Sequence, residues 1–322
     1  MPKPALIASA ATDATAVRLA SRLKMRHLQL LVHIGRLGSL TRVARELATT
    51  QPAVTQALAE VEAMFGMPLF VRTGRGMAPT PAGRTAIDRA ALMLNDLTHW
   101  AREMQAVEAG FSAHLQLGII PFVSGKLVSD AIGRLRAEDR AVSVTIREAT
   151  TDQLLQALHD RELDCVIARA TAAARIPGLV HEMLYHQSPR LVTNKRLGNR
   201  LAAAPLDWAR LAELEWILPS PRTPIGARVS ELFIHAGVEP PVPLVETYSL
   251  KILASMIESR PSVVGIVPAD IAADLARTAN VVSVPCGFDW ELPPVALFQR
   301  QDGPPSPVVA SFAEALRSLC RA

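Results

Sequence analysis

At Gly110 the chain changes its periodicity. Before that residue, apolar side chains recur at steps of three and four, the spacing of one helical face. Beyond it, short β-branched runs alternate with helical stretches. Such a sequence is compatible with a helical N-terminal part followed by an α/β part, because strands alternating with helices build a sheet covered by helices. The 322 residues accommodate two or three domains of ordinary size. Apolar residues at 49% and charged residues at 20% provide a core for each and exclude disorder over most of the chain. The 17 glycines and 24 prolines follow no period, so no solenoid or collagen-like repeat is expected.

The net charge of +4 is unevenly placed. Residues 1–80 carry ten Lys and Arg against four acids, whereas the other 242 residues carry 24 basic and 26 acidic groups. The whole positive excess lies at the N-terminal end, which points to a polyanion partner for that part alone. Cys165, Cys286 and Cys320 are far apart and form no C-x-x-C pair, which fits a reducing cytosol and argues against a cysteine metal site. Residues 1–21, rich in Ala and Thr, lack the basic and apolar regions of a secretory signal and read as a flexible extension. No apolar run reaches the length of about 18 residues that spans a bilayer, so a cytoplasmic protein without a membrane partner is expected.

From residue 22 three short helices follow one another. Leu28, Leu31, Ile34 and Leu37 mark the inner face of the first, which Gly38 stops. Ser39 caps a second over Leu40–Ala48, with Leu40, Val43, Ala44 and Leu47 inward. Thr50 caps a third, with Pro52 in its first turn, Val54, Leu58, Val61 and Phe65 inward, and Gly66 at its end. This is the pattern of a helix-turn-helix, in which the last helix presents its N-terminal residues to the major groove. Those residues are Thr50, Gln51, Pro52, Thr55 and Gln56; Gln matches the donor and acceptor of adenine, and Thr bonds a base or meets a thymine methyl. Thr41 and Arg42 are placed for phosphate. Leu69–Thr80 reads as a hairpin wing whose Arg72 and Arg75 reach phosphate or the minor groove.

The runs Met25-Arg26-His27-Leu28, Gly38-Ser39-Leu40-Thr41, Thr50 to Ala57, Pro68 to Thr73 and Thr80 to Gly83 together resemble the winged helix-turn-helix signature of the LysR-type transcriptional regulators. Within that family, Arg22 to Gln29 and Gln51 to Thr55 look closest to regulators of aromatic-acid or sugar catabolism. Thr50 stands where the family usually has Ser, and the hydroxyl is kept. The resemblance implies a double-stranded DNA operator, a small-molecule effector, RNA polymerase as a further partner, and a homodimer through a linker helix, commonly paired into a tetramer. In residues 83–110 the stripe Ile87, Ala90, Leu94, Leu97, Ala101 and Met104 has the a/d spacing of such a seam.

Beyond Gly110, strands are expected over His114–Ile120, Val142–Arg147 and Cys165–Ala168, with helices Gly125–Ala137 and Asp152–Arg161 between them, as in a covered parallel sheet. A second half, Arg190–Pro293, carries strands near Leu191–Thr193, Trp216–Leu218, Leu244–Glu246, Gly265–Val267 and Val281–Val284. Val295–Gln299 and the helix Pro307–Leu319 return to the first half. The expected domains are thus 22–82 for the winged head, 83–110 for the linker helix and 111–322 for an effector-binding domain. Its subdomain I comprises 111–189 with 294–322, and subdomain II 190–293. The resemblance implies a cleft between the halves, akin to periplasmic binding proteins. Carried across, its cleft positions are Ser124, Thr150, Thr151 and Arg169 from one half and Thr223, Tyr248 and Ser249 from the other, with Val267 and Pro268 on the lip. Hydroxyls at helix starts suit a carboxylate or polyol. Thr150, Thr151 and Ser249 are also suited to plain helix capping, and Arg169 to a solvated surface charge.

No H-E-x-x-H, G-x-S-x-G, P-loop or G-x-G-x-x-G occurs, so no enzyme, metal site or cofactor is expected. His181 and His186 are off helical register for a ligand pair, and Trp208, Trp216 and Trp290 read as packing or rim residues. Two rival readings remain: a solute-binding or enzymatic α/β protein with an N-terminal assembly domain, and an architectural DNA binder with a ligand-free cleft.

Overall fold

The computed structural model describes residues 15–137, 141–171, 174, 176–203, 205, 207–221, 223–284, 290–303 and 305–321, and separates into two compact units, residues 1–104 and 105–322. The first unit holds α1 (Met25–Leu37), α2 (Leu40–Glu46), α3 (Gln51–Phe65), the hairpin β1 (Phe70–Thr73) and β2 (Gly76–Pro79), and most of α4 (Pro81–Glu108). Gly38 and Gly66 end α1 and α3 at φ 61° and 72°, the left-handed geometry that a helix stop requires. Ser39 and Thr50 accept hydrogen bonds from the Arg42 and Ala53 amides and cap α2 and α3. Leu31, Ile34, Val43, Val54 and Val61 are fully buried between the helices. Each contributes about 1.5–3 kcal/mol against about 1 kcal/mol for a cap. The apolar stripes therefore set how the helices pack, and the caps set where they begin.

Two expectations for this unit change. Residues 15–22 are helical rather than irregular, with Leu19 and Leu23 lining an apolar groove beside Leu28, Phe65 and Met93; residues 1–14 of the expected extension lie outside the described residues. The helix expected from residue 83 starts at Pro81, because the Thr80 hydroxyl accepts the Gly83 amide at 3.0 Å and caps it two residues earlier.

The second unit is built on two five-stranded sheets, each with its own core. Lobe I has the order β4-β3-β5-β12-β6, from β3 (Ala113–Ile119), β4 (Val142–Glu148), β5 (Cys165–Arg169), β6 (Leu179–Tyr185) and β12 (Val295–Arg300). Its helices are α5 (Gly125–Ala137), α6 (Thr151–His159) and α12 (Pro307–Arg321). Lobe II has the order β11-β7-β10-β8-β9, from β7 (Pro189–Thr193), β8 (Glu215–Leu218), β9 (Val245–Glu246), β10 (Val263–Pro268) and β11 (Val282–Ser283). Helices α7 (Lys195–Ala202), α8 (Trp208–Ala212), α9 (Pro224–His235), α10 (Leu250–Ser259) and α11 (Ala269–Thr278) belong to it.

Neither sheet is wholly parallel. β3, β4 and β5 run parallel, as do β8, β9 and β10, but β12 is antiparallel to β5 and β6, and β7 is antiparallel to β10 and β11. The chain therefore passes from lobe I to lobe II between β6 and β7 and returns before β12. Strand β6 was not foreseen: it lies at a sheet edge with His181, Glu182 and Met183 exposed, so it shows no apolar alternation.

Candidate functional site

The positions read for DNA contact form an exposed surface of the first unit. Thr41, Arg42, Thr50, Pro52, Thr55, Gln56, Arg72 and Arg75 are exposed, and Gln51 is half-buried. Along α3, Gln51 Nε2 donates to Thr55 Oγ1 at 2.8 Å, Thr55 Oγ1 donates to the Gln51 carbonyl at 3.1 Å, and Gln56 Nε2 donates to Glu60 Oε1 at 3.3 Å. The polar side chains are thus held in two i,i+4 pairs, Gln51 with Thr55 and Gln56 with Glu60, along the exposed start of the helix. One guanidinium nitrogen of Arg42 is spent on the Leu37 carbonyl at the end of α1, which holds the cation against the helix-turn-helix.

The wing is anchored by residues that sequence reasoning passed over. Glu62 Oε1 accepts from the Leu69 and Phe70 amides at 2.7 and 3.1 Å, so an acid in the basic head fixes the start of β1. The Met77 amide donates to the Gly38 carbonyl at 2.8 Å and ties β2 to the turn between α1 and α2. At that contact Gly76 has φ 124°, and a β-carbon there would stand 2.3 Å from the Gly38 carbonyl oxygen. Only glycine lets the wing approach so closely. The signal for it was the glycine pair around Arg75; the signal for Glu62 was its sign.

The expected seam on α4 divides in two. Ala90 is buried in the head core, with Ile87 and Leu94 packed against that core and Ile87 seated on Gly35 of α1. Those three residues pack the helix onto its own head, Ala90 buried and Ile87 and Leu94 half-buried. The apolar residues left exposed are Met93, Leu97 (39%), Trp100 (61%), Met104 (56%) and Val107, at steps of four, three, four and three. Ala101 is also exposed.

In the second unit the hydroxyl residues sit at helix starts. Ser124 Oγ accepts the Leu127 amide at 3.5 Å, Thr150 forms a capping box with Gln153, and Thr151 opens α6. Thr223 and Ser249 cap α9 and α10. Burial holds the Tyr248 hydroxyl above its usual pKa, opposed by its hydrogen bond with Thr223, so the phenol is neutral and available as a donor. Two positions differ from expectation, and a third loses its alternative reading. Val267 is 0% exposed and Pro268 is buried in β10, so both are wall rather than lip, since β10 is a central strand covered on both faces. Arg169 is 4% exposed rather than a solvated charge.

Arg169 belongs to a network at the crossing between the lobes. It donates to the Pro293 carbonyl at 2.8 Å and to Gln187 Oε1 at 2.7 Å. Gln187 Nε2 in turn meets both Asp270 oxygens at 2.8 Å and the Phe122 carbonyl at 3.1 Å. Burial lowers the Arg169 pKa to about 10, opposed by Tyr185 and Asp270, so it stays charged near neutrality. Gln187, Asp270 and Phe122 had no sequence signal, because a bridge between segments distant in the chain leaves no spacing pattern.

No cluster of His, Cys, Asp and Glu able to hold a metal occurs among the described residues. Burial raises the pKa of the enclosed Cys165 thiol and of the partly buried Cys320 thiol; Cys286 lies outside the described residues. Trp216 is buried and packs edge-on to Phe233, as does Trp208. His181 stacks near Phe298, and His186 is exposed beside Glu291. No helix among the described residues is long and apolar enough to cross a membrane.

A winged helix-turn-helix followed by a two-lobed α/β body defines the class of ligand-responsive DNA-binding regulators. Residues 25–84 match the model of the bacterial regulatory helix-turn-helix protein, lysR family, and residues 108–321 match the LysR substrate binding domain. The chain belongs to the LysR family, and as a member it is a DNA-binding transcriptional regulator with an effector-binding domain, not an enzyme. It is 29% identical over 302 residues to the HTH-type transcriptional regulator GbpR of Azospirillum brasilense, covering 93% of this chain and 87% of that protein. It is 28% identical to the HTH-type transcriptional regulator PcaQ of Agrobacterium fabrum, covering 92% and 94%. The fold is shared with full-length CbnR crystallised with its target DNA, at 21% identity and a TM-score of 0.59 over 92% of this chain and 99% of that one.

Proposed function

We infer that the head reads an operator through Gln51, Thr55 and Gln56 while Thr41, Arg42, Arg72 and Arg75 hold the backbone, and that a small effector enters between the two lobes. The observation that carries this reading is the exposed polar start of α3 beside a wing with two free-standing cations, in a unit that holds all of the chain's positive excess. The effector reading draws on the hydroxyls of Ser124, Thr150, Thr223, Tyr248 and Ser249 at the lobe margins and takes an aromatic acid or a sugar as the class. Arg169, held by Gln187 and Pro293, serves there as a fixed positive charge rather than as a movable clamp. In this reading the head runs from 22 to 82, the linker helix from 83 to 110 and the effector-binding body from 111 to 322.

The exposed stripe Met93, Leu97, Trp100, Met104 and Val107 has coiled-coil spacing and suits a second copy of α4, so a dimer forms there and brings two heads to successive half-sites roughly 34 Å apart or a multiple. Two dimers can then pair into a tetramer. A shift in the angle between lobes changes how the heads are presented and, through contact with RNA polymerase in the cytoplasm, changes transcription. The testing experiment selects bound sequences from a random duplex pool with wild-type protein and with Gln56→Ala. The variant is expected to lose preference at one base position per half-site, at a cost of about 1–3 kcal/mol. An unchanged preference at every position contradicts base reading by α3.

A further inference from the structure

The loop after β3 sends an aromatic side chain across the cleft. Phe122 follows the first strand of lobe I, yet its ring is 9% exposed within the apolar cluster of lobe II, its centroid 6.4 Å from that of Tyr248. Its backbone is in the left-handed region at φ 70°, shared among the described non-glycine residues only by Ala48 and Arg161. That geometry is disfavoured for a residue with a β-carbon and persists only where surroundings enforce it. Here the enforcing contacts are the buried ring and the hydrogen bond from Gln187 Nε2 to the Phe122 carbonyl at 3.1 Å. Gln187 is itself tied to Arg169 of lobe I and Asp270 of lobe II. The cavity remaining beside the ring, bounded by Ile217, Thr247, Tyr248, Ser249 and Leu253, is only about 10 Å³. Ligand pockets run from about 300 to 1,000 Å³. A molecule of metabolite size therefore enters only if the ring withdraws.

We propose that Phe122 is an intramolecular ligand of the lobe II slot, and that an effector with a flat apolar ring binds there in competition with it. This rests on the reading of the cleft as the effector site. The walls set the class of ligand: Ile217, Leu253 and Ile266 are apolar and Tyr248 is aromatic, while Thr247 and Ser249 add hydroxyls to the lining. A ring with a single polar or anionic substituent satisfies both parts of this slot. A polyol would press unpaired hydroxyls against the apolar wall, which is costly. Withdrawal of Phe122 also frees its carbonyl from Gln187, so occupation of the slot is coupled to the Arg169–Gln187–Asp270 bridge between the lobes.

The test uses the full-length protein with benzoate, benzene and sorbitol as probes, titrated by calorimetry into wild type, Phe122→Ala, Phe122→Leu and Phe122→Trp, with hydrogen exchange to locate the bound probe. Benzoate is expected to bind Phe122→Ala at least tenfold more tightly than wild type, Phe122→Leu at an intermediate level and Phe122→Trp more weakly, with protection at Tyr248–Leu253; sorbitol gains nothing. Should Phe122→Ala fail to fold, the order of Phe122→Leu, wild type and Phe122→Trp carries the same test. Equal benzoate affinity across the series, with protection at Tyr248–Leu253, overturns the competition and leaves the cleft as effector site. A gain for benzene alone marks a mere void and overturns the proposal. Protection outside the lobe margins, or no binding in any protein, overturns both the proposal and the cleft reading.

Discussion

Single residues fix how the head holds its shape. Gly76 has no room for a β-carbon against the Gly38 carbonyl, and neither backbone can yield without parting the Met77 to Gly38 hydrogen bond. Gly76→Ala is expected to lower stability by about 2 kcal/mol or more, from the clash, the positive φ and the lost bond; denaturant unfolding measures it, and a change within about 0.5 kcal/mol would show that the wing does not need this contact. His27 is buried in α1, with Nδ1 accepting the Lys24 amide at 3.2 Å and Nε2 without a hydrogen-bond partner. Burial lowers its pKa below 6.5, with Arg26 and Lys24 adding and Glu60 opposing. The unfolded imidazole takes up a proton near 6.5, so the folded state loses stability relative to it as pH falls below that value and until the lowered pKa is reached. The melting temperature is expected to fall between about pH 7 and 5, and less steeply in His27→Gln. Parallel slopes for the two proteins would remove His27 as the cause.

Elements were legible in the sequence in proportion to how local their signals are. The three head helices, with Gly38, Thr50 and Gly66 as stops and caps, lie where spacing and capping residues placed them, because each boundary is written within a few residues. The covered strands β3, β5 and β10 stood out as apolar runs. Strand β6 did not, since an exposed edge needs no apolar pattern, and its pairing with β12 joins segments more than a hundred residues apart. The cleft was the least legible part. Helix-start hydroxyls announce themselves, but Gln187, Asp270 and Phe122 acquire a role only once the lobes are assembled. The α4 stripe shows the same limit: one periodicity serves two purposes, and burial separates Ile87, Ala90 and Leu94 from the exposed run. Trp100→Glu is therefore expected to yield a monomer with an unaltered melting temperature of the head, while Leu94→Asp is expected to lower that temperature by several degrees. Sedimentation and thermal unfolding distinguish them, and a Trp100→Glu protein that still dimerises would remove the exposed run from the interface.

At the scale of the whole molecule, the chain divides its charge as it divides its work. A basic head carries the helix-turn-helix, and a near-neutral body carries two sheets, with the slot on the second. An architectural DNA binder would share the head but would have no use for a slot closed by a strained aromatic residue. Membership of the LysR family, not the lining of the slot, is what sets the chain apart from an enzyme. The most direct measurement is the affinity of the full-length protein for its selected operator duplex between about 50 and 200 mM salt, compared with Arg72→Ala. Each cation on phosphate releases about one counterion, so binding is expected to weaken steeply with salt, and the log–log slope to become shallower by about one in the variant. Binding that is absent or insensitive to salt would contradict the assignment of the head as the DNA-binding part.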